Sequence, residues 1–205
     1  MARPREFDEA AALDAAILCF WARGYEATSI RNLTQSMGIT GASLYNAFGD
    51  KRSLYERALD HYIERGSLDR IKRLEAHLPP RQAITAFFEE IIERSLSDPQ
   101  RKGCLLVNAA VEVAPHDPGF QQIVADVLVQ IEAFFRRCVA TGQRTGSISI
   151  AQPAEDLARL LLGLLLGIRV LARARPERDL LEGMVRPAFA LLDCHFIAQE
   201  ISAHD

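Results

Sequence analysis

The feature that most constrains this chain is the period of its apolar residues. From Asp8 onward they recur at three- and four-residue spacing, and no segment of strand length alternates apolar and polar side chains between turn signals. Such a chain can bury its apolar surface only by packing helix stripes on one another, so the expected fold class is all-α. A composition of 49% hydrophobic and 25% charged over 205 residues is that of a globular chain able to bury a core. The run Leu160–Ile168, held between Arg159 and Arg169, is about half a membrane span and reads as a buried helix rather than an anchor.

Caps and breakers divide the pattern. A first helix runs from about Asp8 to Arg23 and ends at Gly24. Thr28 and Ser29 cap a short second helix through Met37, Gly38 breaks it, and Thr40 caps a third to Phe48. After the Gly49-Asp50 turn a long amphipathic helix, with Leu54, Ala58, Tyr62, Ile71 and Leu74 on its apolar side, reaches toward Pro79-Pro80. Further helices are expected at about 81–97, 104–114, 118–143, 153–174 and 177–202. The organisation is a small N-terminal module, residues 1–55, followed by a larger helical domain, residues 56–205.

Charge and cysteine usage exclude several functions. A net charge of −3 offers no global attraction for a polyanion, and within residues 1–55 the basic Arg3, Arg5, Arg23, Arg31, Lys51 and Arg52 are balanced by Glu6, Asp8, Glu9, Asp14, Glu26 and Asp50. Nucleic-acid binding must therefore rest on local geometry, to which the arm Arg3-Pro4-Arg5 is a candidate contributor. Cys19, Cys104, Cys138 and Cys194 have no metal-ligand or CxxC spacing, and the scattered histidines form no constellation, so no metal and no cofactor is expected. The start MARPREFDEAA has no apolar targeting core, which with the cysteine pattern reads as a reduced cytoplasmic protein. No phosphate loop, dinucleotide fingerprint, zinc-protease motif or nucleophile elbow occurs, and no enzyme is expected.

The segment Thr28–Phe48 carries the functional reading. Two short capped helices about a glycine turn are the geometry that presents a second helix to a major groove. Ile30, Leu33, Met37, Ile39, Leu44 and Phe48 fall on the inward side. Small or hydrogen-bonding residues are left outside: Thr40, Gly41, Ala42 and Ser43 open the third helix, where free amides favour phosphate, and Tyr45 and Asn46 follow. Ser43 and Tyr45 suit phosphates, and Asn46 suits a base edge or a phosphate.

The block from Thr28 through LYNAFGDKRSLY to Tyr55 resembles the TetR-type DNA-binding domain. The resemblance implies that Thr28 and Arg31 touch the DNA backbone, that Thr40 through Asn46 lie in the major groove, and that Lys51 holds a phosphate at the start of the fourth helix. Asn46 departs from the His common there. It further implies a homodimeric repressor of a pseudo-palindromic operator, with a larger ligand-binding and dimerisation domain that responds to a small-molecule effector. The alternative is a helical protein-interaction module without sequence-specific DNA binding, and the motif alone does not separate repressor from activator.

Within the larger domain, TetR-type proteins resemble one another in pairing their last two long helices across a two-fold axis. Leu161, Gly163, Leu164, Gly167 and Ile168 are the candidate interface, on a helix apolar on more than one side. Phe88, Phe134, Asn108 and Glu112 are candidate pocket residues, the last two one helical turn apart. Cys104 follows Arg101, Lys102 and Gly103 at a helix start, a setting that favours thiolate and makes it a candidate electrophile sensor beside the commoner role of a small buried residue. The stretch Lys102–Asn108 is similar to that of a TetR subgroup with electrophile-responsive members, such as the N-ethylmaleimide repressor. Asp117 before Pro118 reads as a helix cap.

Overall fold

The computed structural model describes residues 7–194, and every regular element among them is helical. The N-terminal module is α1 (Glu9–Arg23), α2 (Ile30–Met37) and α3 (Gly41–Phe48), with α4 (Lys51–Ile63) leading out of it. The larger domain comprises α5 (Asp69–His77), α6 (Pro80–Leu96), α7 (Leu105–Glu112), α8 (Pro118–Arg144), α9 (Ala154–Ala174) and α10 (Arg178–Leu192). The Arg3-Pro4-Arg5 arm lies outside the described residues.

Local chemistry sets the starts and stops. Asp8, Thr40, Asp50 and Asp117 each accept backbone N–H bonds from the first turn of the helix they precede. Ser29 and Asn32 cap each other reciprocally at α2. Gly24, Gly38 and Gly49 close α1, α2 and α3 at φ of +84°, +66° and +80°, a region that side chains disfavour.

Two boundaries differ from the sequence expectation. The long helix toward Pro79 is interrupted by a π-helical turn, Glu64–Leu68, between α4 and α5; such turns arise where one extra residue is accommodated inside a helix. The last helix is broken after Leu192, where Asp193 turns extended and the Leu192 carbonyl accepts the Ser149 N–H at 2.9 Å; the expected span beyond 194 lies outside the described residues.

One continuous apolar core joins the two modules. In the small module α1 packs on α2 and α4, and α7 meets α4 from the other side. The junction is aromatic: Tyr55 lies 4.8 Å from Phe20 and 5.2 Å from Phe120, centroid to centroid. The larger domain centres on α8 packed against α9 and α6, with Phe87, Phe88, Phe134 and Phe135 in mutual ring contact.

Candidate DNA interface and effector site

The outer face of the helix-turn-helix is polar and largely uncommitted. Thr40 is exposed at the α3 cap, with its hydroxyl 2.9 Å from the Ser43 hydroxyl. Ala42, Tyr45 and Asn46 are exposed, Gly41 and Ser43 half-buried, and Gly41 has nothing within 4 Å of an added Cβ. Arg31 is exposed on α2. Lys51 is half-buried; its ammonium donates to the Glu26 carbonyl at 3.3 Å and sits 4.4 Å from the centroid of the Tyr25 ring. That leaves two ammonium hydrogens for an anion at the α4 start.

Thr28 stands elsewhere. It is 1% exposed, and its hydroxyl donates to the Gly24 carbonyl at 2.6 Å. Its side chain pins the α1–α2 hinge instead of facing outward, because the chain leaving Gly24 must fold back over it.

Three polar contacts tie the small module to the larger domain. Glu112 on α7 accepts the Glu26 N–H at 3.0 Å. Arg52 on α4 makes a two-pronged bond to Asp117 at 2.7 and 3.0 Å, and the Arg52 guanidinium with the Phe120 and Gly119 amides holds the Asp117 carboxyl down to about 2. Trp21 on α1 donates its indole N–H to the Lys102 carbonyl at 2.9 Å, which also accepts from the Asn108 side chain at 3.3 Å.

The candidate pocket residues lie apart from one another. Asn108 and Glu112 do share a face, but it is turned to a cleft of about 440 Å³ between α1, α7 and α9, not to the domain interior. Phe88 and Phe134 are fully buried in the aromatic cluster, where ring-on-ring packing occupies their surface. A space of about 20 Å³ is bounded by the π turn at Ser67, by Phe87, Ile91, Cys104 and Leu106, and by Arg169 of α9. Cys104 is buried at the α7 cap and accepts the Tyr62 hydroxyl at 3.7 Å. Burial pushes the Tyr62 phenol above its usual range. Lys102, adjacent in sequence, turns its ammonium to Gln100 and Asp98 instead.

The candidate interface residues of α9 divide. Leu161 and Ile168 are 1% and 0% exposed; both sit on the stripe that α9 packs inside its own chain. Gly167 faces Met184 of α10, where a Cβ would come within 3.1 Å. The outward face holds Leu160, Gly163 and half-buried Leu164 of α9, beside exposed Gly183, Pro187, Ala190 and Leu191 of α10.

Trp21, Arg52, Tyr62 and Arg169 were not singled out in sequence. Each acts through a partner 42 to 81 residues away, beyond any local pattern; an arginine inside an apolar helix run was the one available signal, at Arg169.

Comparison with known proteins agrees with this geometry. Residues 12–58 match the family described as bacterial regulatory proteins, tetR family, and residues 80–187 match the tetracyclin repressor-like C-terminal domain. The chain is 33% identical over 199 residues to the uncharacterized HTH-type transcriptional regulator YezE of Bacillus subtilis (strain 168), covering 94% of this chain and 100% of that protein. It is 28% identical over 172 residues to the HTH-type transcriptional repressor ComR of Escherichia coli (strain K12), covering 83% and 82%. Among solved structures, a cysteine mutant of the TetR family transcriptional regulator CifR, complexed with 26 bp double-strand operator DNA, aligns with a TM-score of 0.82 at 31% identity over 93% of this chain and 100% of that one.

Proposed function

The chain belongs to the TetR family of bacterial transcriptional regulators, and on that premise we propose that it is a cytoplasmic homodimeric repressor that binds a pseudo-palindromic operator and is released by a small ligand or by thiol modification. Residues 1–55 bind DNA and residues 56–205 bind effector and partner subunit. The observation that carries this is the uncommitted polar edge of α3: Thr40, Ser43, Tyr45 and Asn46 at the end of a helix with free amides, flanked by Arg31 and Lys51. Gly41 and Ala42 let α3 approach the groove, and Lys51 takes a phosphate. That the similar CifR mutant is complexed with operator DNA supports the DNA-binding reading.

Release follows from how α7 is used. The space beside Cys104 is about 20 Å³, room for roughly one water. When a maleimide adds to Cys104, the sulfur bonds one alkene carbon and the thiol proton ends on the other; the product fits only if α7 or the π turn moves. Glu112, eight residues along on α7's far end, holds the Glu26 N–H. Moving α7 therefore shifts the small module and the spacing of the two recognition helices, a population shift between states. A release of this kind is what the resemblance of Lys102–Asn108 to the electrophile-responsive subgroup implies.

Electrophoretic mobility shift with the chain's own upstream DNA tests the reading. Wild type binds selectively, and Tyr45→Ala with Lys51→Ala removes binding. N-ethylmaleimide releases the wild type and leaves Cys104→Ser bound. Absence of selective binding to the upstream fragment and to a random-sequence pool rejects the repressor and leaves a protein-interaction module.

A further inference from the structure

Arg169 is the least expected side chain of the larger domain. It sits on α9 between Ile168 and Val170, 7% exposed, and its one hydrogen bond among the described residues runs from Nη1 to the Ser95 hydroxyl at 3.2 Å. Ser95 is itself 8% exposed and donates to the Ile91 carbonyl at 2.7 Å. The other buried arginine, Arg70, is paired with Glu90 at 3.0 Å, as a buried charge ordinarily is. No carboxylate of the described residues pairs with Arg169.

The space beside it is charged in one sense. Arg169 forms the floor of a cleft of about 260 Å³ under Trp21, whose rim carries Arg94, Arg101 and Lys102 against a single acid, Asp98. Asp98 is already engaged, accepting the Gln100 and Lys102 amides at 3.1 and 2.8 Å and facing the Lys102 ammonium at 3.4 Å. Leu18, 54% exposed, Trp21, Pro99 and Ala172 give the same cleft an apolar wall. Burial lowers the Arg70 guanidinium, the Glu90 hydrogen bond and charge offset part of that, and the charges of Arg169 and Arg94 act in the lowering direction.

We propose that this cleft binds a small organic carboxylate, its anionic head on Arg169 and its apolar body against Trp21 and Leu18, and that this is the effector. A guanidinium fork matches a carboxylate, and a cleft of this size fits a compact ligand. The ligand would lie between α1 and the loop that holds the Trp21 indole through the Lys102 carbonyl, so occupancy competes with that tie. The effector role rests on the repressor reading, whereas the binding itself does not.

The test is calorimetric titration of the full chain without DNA, at fixed ionic strength, with benzoate and hexanoate against benzamide and hexanamide. The carboxylates should bind about tenfold or more tightly than their amides, as a charge-assisted pair requires. Arg169→Met should abolish that preference. Ser95→Asp, which supplies an internal carboxylate beside Arg169, should abolish it too while melting no lower than wild type, so the test survives if the first variant fails to fold. Equal binding of acids and amides, no binding of either, or a preference retained in folded Ser95→Asp overturns the site. Operator release by the same acids from wild type and not from Ser95→Asp supports the effector role; binding without release overturns that role alone.

Discussion

Asp117 does two things at once: it caps α8 through the Gly119 and Phe120 amides at 2.8 and 3.2 Å, and it grips Arg52 of α4. With Arg52 beside it the carboxyl titrates at about 2, against an ordinary 3.8. A carboxylate depressed in the folded state stabilises that state above its ordinary pKa, and the contribution disappears as pH falls toward the folded value. The melting advantage of wild type over Asp117→Asn should therefore be flat above about pH 5 and shrink from about pH 4 downward toward 2; an advantage that persists undiminished to pH 3 or grows there is incompatible with the ion pair. The cap was legible, since Asp before Pro is a local signal. Arg52 as its second partner was not, because 65 positions separate them. Thr28 shows the reverse limit: a hydroxyl at a helix start looks outward in sequence and is turned inward by the Gly24 hinge.

At the scale of elements, helix starts were readable wherever a cap and its first-turn amide are neighbours, and the three helices of the small module match their expected spans to within a residue or two. The π turn at Glu64–Leu68 had one faint signal, Gly66 inside an otherwise continuous helical pattern, but a single interior glycine does not distinguish a π turn from a weakened α-helix. The candidate pocket residues meet a related limit: aromatic bulk marks core as readily as cavity, and Phe88 with Phe134 are fully buried in the core. The joint between α1 and α7 offers an element-scale test. An alanine Cβ at Gly24 would stand 2.9 Å from Glu112 Oε1 at a φ that alanine disfavours, so Gly24→Ala should cost about 1–2 kcal/mol and displace the Glu112 carboxylate from the Glu26 N–H. Glu112→Ala should cost about 1 kcal/mol. The double variant should fall short of the sum by roughly the shared hydrogen bond, 0.5–1 kcal/mol; strict additivity in urea melts would mean that the two positions act independently.

On the scale of the whole molecule, the question is what covers the outward face of α9 and α10. Leu160, at 40% exposure, and Leu191, at 46%, flank glycines 163 and 183, around which an added Cβ meets nothing within 4 Å. Small residues on two adjacent helices permit close approach of another pair, and a two-fold dimer is what a pseudo-palindromic operator demands. Gly163→Glu then separates folding from assembly. Within one chain the new side chain points into open space, so the melting profile of the dilute monomer should change little. Across the proposed two-fold axis it brings two carboxylates and their desolvation into an apolar contact, and the dimer should weaken on the order of 100-fold, read by sedimentation equilibrium, with operator affinity falling alongside. Leu161→Ala should do the opposite: at 1% exposure inside its own chain it should lose about 2–5 kcal/mol of fold stability with little selective effect on dimerisation. If Gly163→Glu remains as dimeric as wild type, the subunits meet through another surface, and the spacing of the recognition helices must be set there.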